Sequence, residues 1–318
     1  MVRTDAQVRM LAALTGTFCL VMAWAAAAQD VEVAARVAYT ESPTVDREGN
    51  VYFTESVSQT IRKLSPDGVL SVYRDRFRGN GLLVDPQGRL ITLGTDTSTP
   101  EGKPSVTRTD LRTGRTEILA DSYEGKPLRA PNDVTMDGKG RLYFSDRSAV
   151  AVYRIDVPGK VVQILGKPDV QWPNGLQVSP DDKILYVVET NQAKGGARRI
   201  NAYDLAPDGT VSNMRVHYDF YPGRSADGMS IDSQGNLYAA AGLHSRITLA
   251  TREGSGETMD TKSGVYVISP QGTLIRFVDI PEDIITNTGF GGPDMRTLYV
   301  TAGDTLFKMR TDVSGLPR

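Results

Sequence analysis

One short pattern recurs six times along this chain, and it decides the architecture. It reads GNVYFTE from Gly49, GRLITLG from Gly88, GRLYFSD from Gly140, KILYVVE from Lys183, GNLYAAA from Gly235 and RTLYVTA from Arg296. Each copy is a run of strand-forming residues, five of them with tyrosine at one register: Tyr52, Tyr143, Tyr186, Tyr238 and Tyr299. That recurrence reads as blade packing. Each copy follows a tight turn, Asp-x-x-Gly at Asp46, Asp85, Asp137 and Asp232, or a one-residue-longer turn at Pro180 and Pro293. Aspartate opening a turn and glycine closing it with positive φ join two antiparallel strands.

A second pattern, strand then Pro-Asp-Gly or its equivalent, follows at 61–68, 152–159, 200–209 and 265–272. Four short strands in roughly 49 residues, six times over, predict an all-β chain folded as a six-bladed β-propeller of four-stranded antiparallel blades. A sandwich would not repeat one period six times. Residues 31–39, VEVAARVAY, read as an extra strand that completes the last blade and closes the ring, removing an open sheet edge.

The propeller is expected as a single domain over 29–318. Residues 1–28 have a separate character: Arg3 and Arg9 precede an apolar run from Met10 to Ala28 that ends in alanines. This reads as a secretory signal cut near Ala28, with a retained anchor helix as the alternative. The expected location is therefore periplasmic or secreted. The lone cysteine, Cys19, falls inside that segment, so the mature chain has no thiol for disulfide or metal chemistry. With 36 basic and 38 acidic side chains, the net charge of −2 gives no footprint for nucleic acid or a polybasic membrane contact. A monomer acting on a small molecule is the expectation.

Aligned on their turns, the copies expose one more register. Eight residues before the Gly of each Asp-x-x-Gly blade, and nine where the turn is longer, stand Glu41, Asn80, Asn132, Asn174, Asp227 and Asn287. All six carry a side-chain oxygen. Equivalent positions in a propeller form a ring, and these lie where the innermost strands start, at one mouth of the central channel. Asn80-Gly81, Asn174-Gly175 and Asp227-Gly228 also fit a plain turn reading, which Glu41, Asn132-Asp133 and Asn287-Thr288 do not. Two carboxylates ~5 Å apart at an effective dielectric of ~20 repel by roughly 3 kcal/mol. A cation relieves that repulsion. Carboxylate and amide oxygens without His or Cys are hard ligands, which suit Ca²⁺ first, with Mg²⁺, Mn²⁺ or Zn²⁺ as alternatives.

The segments ESPTVDREGNVYF, APNDVTMDGKGRLYFSD, WPNGLQVSPDDKILYVVET, DGMSIDSQGNLY and NTGFGGPDMRTLYVTA together resemble the gluconolactonase / senescence-marker-protein (regucalcin) family, in order and over nearly the whole mature chain. The resemblance implies a propeller with one divalent cation at the channel mouth and hydrolysis of sugar lactones. It implies metal ligands at Glu41, Asn174 and Asp227, substrate contact at Asn132, and a general-base role for Asp227. Two departures bear on substrate identity. Ser42 stands where the family usually has glycine, and Ala130 where some members have arginine, with Arg129 adjacent.

Arg129 and His244 complete the expected substrate side, His244 lying at the start of a Gly-rich segment, 242–264. His217 reads as a strand-surface residue, and Trp172 either as a pocket wall or as blade packing. No Gly-x-Ser-x-Gly elbow is present. The rival reading is a non-catalytic exported binding propeller with a structural cation. A quinone-dependent sugar dehydrogenase would need a strongly cationic pocket that the axial residues do not supply.

Overall fold

The computed structural model describes residues 31–98, 102–246, 248 and 254–316. The expected signal segment lies outside them, as do 247 and 249–253 of the Gly-rich segment. Six antiparallel four-stranded sheets follow one another in chain order. Their first strands are Thr40–Val45, Phe77–Val84, Pro131–Met136, Pro173–Val178, Ala226–Ile231 and Ile285–Gly291, here blades 1 to 6. Each first strand packs on the first strands of both neighbouring blades, and blade 6 packs back on blade 1. The six first strands thus surround a common axis, and the propeller closes.

Closure is made by the N-terminal strand, Glu32–Arg36, which pairs antiparallel with Thr305–Arg310 as the fourth strand of blade 6. Val37 N–H and Thr40 N–H then donate to the carbonyls of Asp304 and Gly303 at 2.7 and 2.8 Å, leading the chain into blade 1. An otherwise free edge is covered.

The core is divided among the blade junctions. Buried apolar clusters join blades 1 and 2 around Leu90, 2 and 3 around Phe144, and 3 and 4 around Leu176. Others join blades 4 and 5 around Ile200, 5 and 6 around Val300, and 6 and 1 around Phe53 and Leu306. Burial of this kind stabilises by about 25 cal/mol per Å² of apolar surface. Alternation along each strand is what sends apolar side chains to both faces of a blade.

The repeated tyrosines do more than pack. Tyr52, Tyr143 and Tyr238 donate their hydroxyls to Asp46, Asp137 and Asp232, six residues earlier, at 3.1, 3.0 and 3.4 Å. The same aspartates accept the backbone N–H four residues on, and Gly49 takes φ +84° to close its turn. In blade 2 the tyrosine is replaced by Ile91, and Asp85 keeps an ion pair with Arg89 Nε at 2.6 Å, as Asp137 does with Arg141 in blade 3. These turns lie at the end of the axis away from the ring residues.

Candidate functional site

In every blade the register of the first strand slips against the second at or beside the ring position, between Glu41 and Thr44, Gly79 and Leu82, Pro131 and Val134, Pro173 and Leu176, Ala226 and Met229, and Ile285 and Asn287. Such bulges re-aim side chains and recur beside functional sites. The Asn-Gly and Asp-Gly pairs therefore lie within strands, not in turns. Their glycines answer a packing need. A Cβ on Gly175 would stand 2.6 Å from the Asp227 carbonyl oxygen, and one on Gly81 2.5 Å from that of Asn132.

The ring residues come together across the axis. Glu41, Asn132, Asn174 and Asn287 are buried, while Asn80 and Asp227 are half-buried. Asn174 Nδ2 donates to Asp227 Oδ1. Asn287 Nδ2 donates to Ser42 Oγ at 3.3 Å, joining blades 6 and 1. Ser42 itself has φ +45°, the left-handed region its glycine counterpart would occupy without strain. Its N–H and Oγ donate to Glu41 Oε2 at 2.9 and 3.3 Å.

Two residues unassigned by the motifs join this cluster. Arg224, buried, donates from Nη2 to Asp227 Oδ2 at 2.8 Å and from Nη1 to the Gly242 carbonyl at 3.3 Å. Asp133, next to Asn132, accepts Val134 N–H at 2.8 Å and is buried. Burial pushes the Asp133 carboxyl up to about 7, with Asp227 adding to the rise and hydrogen bonds from Val134, Leu176 and Asn287 opposing it. Burial, then Asp227 and Asp133, raise Glu41 well above its ordinary range, against hydrogen bonds from Ser42. Three carboxylates thus influence one another, and one of them, Asp227, is paired with a guanidinium. The sequence places Asp133 beside a ring asparagine, but Arg224, three residues ahead of Asp227, carries no signal separating it from a surface arginine.

Ser42, Asp133 and Asn287 also line a cavity of about 760 Å³ that runs along the axis toward Asp46, Pro86 and Pro293. Glu41, Asn174 and Asp227 are not part of that lining.

The rim is more open. Arg129 is exposed, with its backbone N–H held by Asp146 Oδ2 at 2.8 Å. His244 is exposed, its N–H donating to Asp283 Oδ1 at 2.6 Å. Neither is drawn into the ring. Trp172 is 45% exposed, so it is not blade packing. His217 is far from a free surface residue: it is half-buried against Tyr186, ring centroids 4.8 Å apart, and burial lowers its pKa.

Among the described residues no three His, Cys, Asp or Glu side chains form a metal cluster on their own. The donor set nevertheless fits a hard divalent cation once the amide is counted. Glu41, Asp227 and Asn174 supply oxygens, and the buried carboxylates outnumber their counter-charge. The amide of Asn174 presents nitrogen to Asp227; a half-turn of its terminal torsion presents oxygen.

The sequence model of the family described as SMP-30/Gluconolactonase/LRE-like region matches residues 39–304. A gluconolactonase of Zymomonas mobilis is 25% identical, over 89% of this chain and 81% of its own length. Among solved structures, a gluconolactonase from Xanthomonas campestris matches with TM-score 0.72 and 23% identity over 89% of each chain. A calcium-binding regucalcin from Agrobacterium tumefaciens matches with TM-score 0.70 and 21% identity, over 91% of this chain and 98% of that one.

Proposed function

The chain belongs to the SMP-30/gluconolactonase/LRE-like family, and on that premise we propose that it hydrolyses a sugar lactone with one divalent cation at the channel mouth. The observation that carries the proposal is the meeting of Glu41, Asn174 and Asp227 beside a second buried acid, Asp133. Those oxygens would hold the cation, Ca²⁺ by donor chemistry, and its Lewis acidity would polarise a lactone carbonyl.

The chain's own residues supply the rest. Arg224 fixes one oxygen of Asp227, so the carboxylate is oriented before substrate arrives. Asp227 takes a proton from the attacking water as its oxygen bonds to the carbonyl carbon. The ring C–O bond then breaks, and the proton returns to the departing ring oxygen. Asn132, buried in the neighbouring sector, offers its amide to sugar hydroxyls; Arg129 and His244 stand at the rim for the more distant ones. The N-terminal segment supports export, hence a periplasmic or secreted enzyme.

A binding propeller with a structural cation is the competing reading. It draws on the fact that both Asp227 oxygens already accept hydrogen bonds. A lactone panel followed at constant pH decides between them, using metal-stripped protein with Ca²⁺, Mn²⁺ or Zn²⁺ added. Turnover that needs the cation and disappears in Asp227→Asn upholds the hydrolase. No turnover on sugar, aryl or alkyl lactones overturns it.

A further inference from the structure

Two buried acids have no part in the chemistry above. Asp146 ends the second strand of blade 3, Leu142–Asp146, and Glu189 lies near the end of that of blade 4, Ile184–Thr190. At 0% and 1% exposure both are sealed from solvent. Asp146 stands opposite Pro131, and Glu189 opposite Pro173. Proline has no N–H, so the ladder lacks a donor where each first strand enters the ring. The acids take the N–H groups just ahead instead. Asp146 accepts those of Arg129 and Ala130 at 2.8 and 2.9 Å, and that of Ala149 at 2.9 Å. Glu189 accepts those of Gln171 at 3.1 Å and Trp172 at 2.7 Å.

In both blades, then, one carboxylate grips the two backbone N–H groups that precede a Pro-Asn pair, Pro131-Asn132 or Pro173-Asn174. The device is not a general feature of the repeat. Glu55, at the same register in blade 1, turns the other way and binds Val57 and Ser58, which follow it. Blade 5 has Ala241 there. The two blades with the grip are the two whose ring residue is an asparagine preceded by proline.

We infer that Asp146 and Glu189 are positioning residues with separate charges: Asp146 sets Asn132 on the substrate side, and Glu189 sets Asn174 on the cation side. The inference rests on the proposed roles of those asparagines. A carboxylate suits the task because it accepts two N–H groups at once through strong charge-assisted bonds. An amide of the same shape turns an NH₂ toward one of them.

Asp146→Asn and Glu189→Gln test this in the full chain. Trp172 is held by Glu189 and lies two residues before Asn174, so its emission reports this loop; Trp24→Phe removes the chain's other tryptophan. Glu189→Gln is expected to weaken Ca²⁺ binding, titrated through Trp172, about tenfold or more, with lactone KM at saturating Ca²⁺ unchanged. Asp146→Asn is expected to raise lactone KM about tenfold or more and leave the Ca²⁺ titration unchanged. Amide exchange should quicken at 171 and 172 in the first variant and at 129 and 130 in the second, with melting temperatures within a few degrees of the parent. Both variants shifting both quantities alike, or neither shifting either, overturns the inference. If the parent turns over no lactone, the functional reading falls, and the grip stands or falls on the Ca²⁺ titration and the site-specific exchange alone.

Discussion

Arg224 holds Asp227 through a 2.8 Å ion pair in which the two side chains are only 6% and 17% exposed. Its other nitrogen is tied to the Gly242 carbonyl, so the arginine anchors the ring carboxylate to the second-strand end of blade 5. Arg224→Met removes the countercharge paired with Asp227 among the described residues, in a cluster that also contains Glu41 and Asp133. Breaking a buried pair from one side costs about 3 kcal/mol or more. Urea unfolding in chelator should show that loss. Saturating Ca²⁺ should restore part of it, because a bound cation replaces the missing charge. An equal loss with and without Ca²⁺ would contradict a shared cluster.

The same cluster predicts how stability varies with pH. Burial raises Glu41 and brings Asp133 to about 7, so from the ordinary carboxylate range up to about pH 7 the folded chain keeps protons that the unfolded chain releases. Stability therefore falls as pH rises through that window, by a few kcal/mol from Asp133 alone. His217, lowered by burial, works in the opposite sense but is one group against two, and Glu189 adds to the fall. In chelator the melting temperature should decline from about pH 5 to about pH 8. With Ca²⁺ saturating, the decline should flatten, since cation binding expels those protons. A chelated protein that melts higher at pH 8 refutes this account.

How much of this was legible beforehand follows from where the information sits. The six-fold turn spacing fixed the blades, because turn chemistry is local and glycine has few substitutes at positive φ. The ring register was legible too, since bulges at equivalent points leave the side-chain count intact from blade to blade. Asn174-Gly175 was ambiguous because an in-strand glycine, needed for the approach of Asp227, has the same spelling as a turn. Arg224 was invisible: its partner is three residues away, but its burial is set by the loop at Gly242, which sequence does not place. Asp146 and Glu189 stand plainly in two repeat copies, yet their partners are backbone N–H groups, which leave no trace in side-chain identity.

Ser42 combines strain with bonding. At φ +45° a non-glycine residue costs about 1 kcal/mol, while its hydroxyl joins Glu41 to Asn287. Ser42→Ala keeps the strain and loses both bonds, so it should destabilise by about 1–2 kcal/mol in urea. Ser42→Gly relieves the strain and should cost less. Alanine proving the milder replacement would mean that the hydroxyl does not support the ring.

Gly175 sets how closely blades 4 and 5 approach at the ring. A Cβ there meets the Asp227 carbonyl oxygen at 2.6 Å and Gly228 Cα at 2.9 Å, both backbone atoms that move only if the strands part. Gly138 supplies the control. Its Cβ would also meet an atom at 2.6 Å, but that atom is Oδ2 of the Asp182 side chain, which can rotate away. Gly175→Ala should therefore cost about 3 kcal/mol and separate Asn174 from Asp227, weakening Ca²⁺ binding and lactone turnover together. Gly138→Ala should cost less than about 1 kcal/mol and leave both intact. Denaturation and Ca²⁺ titration of the two variants side by side check the point, and comparable losses would show that the ring does not depend on this contact.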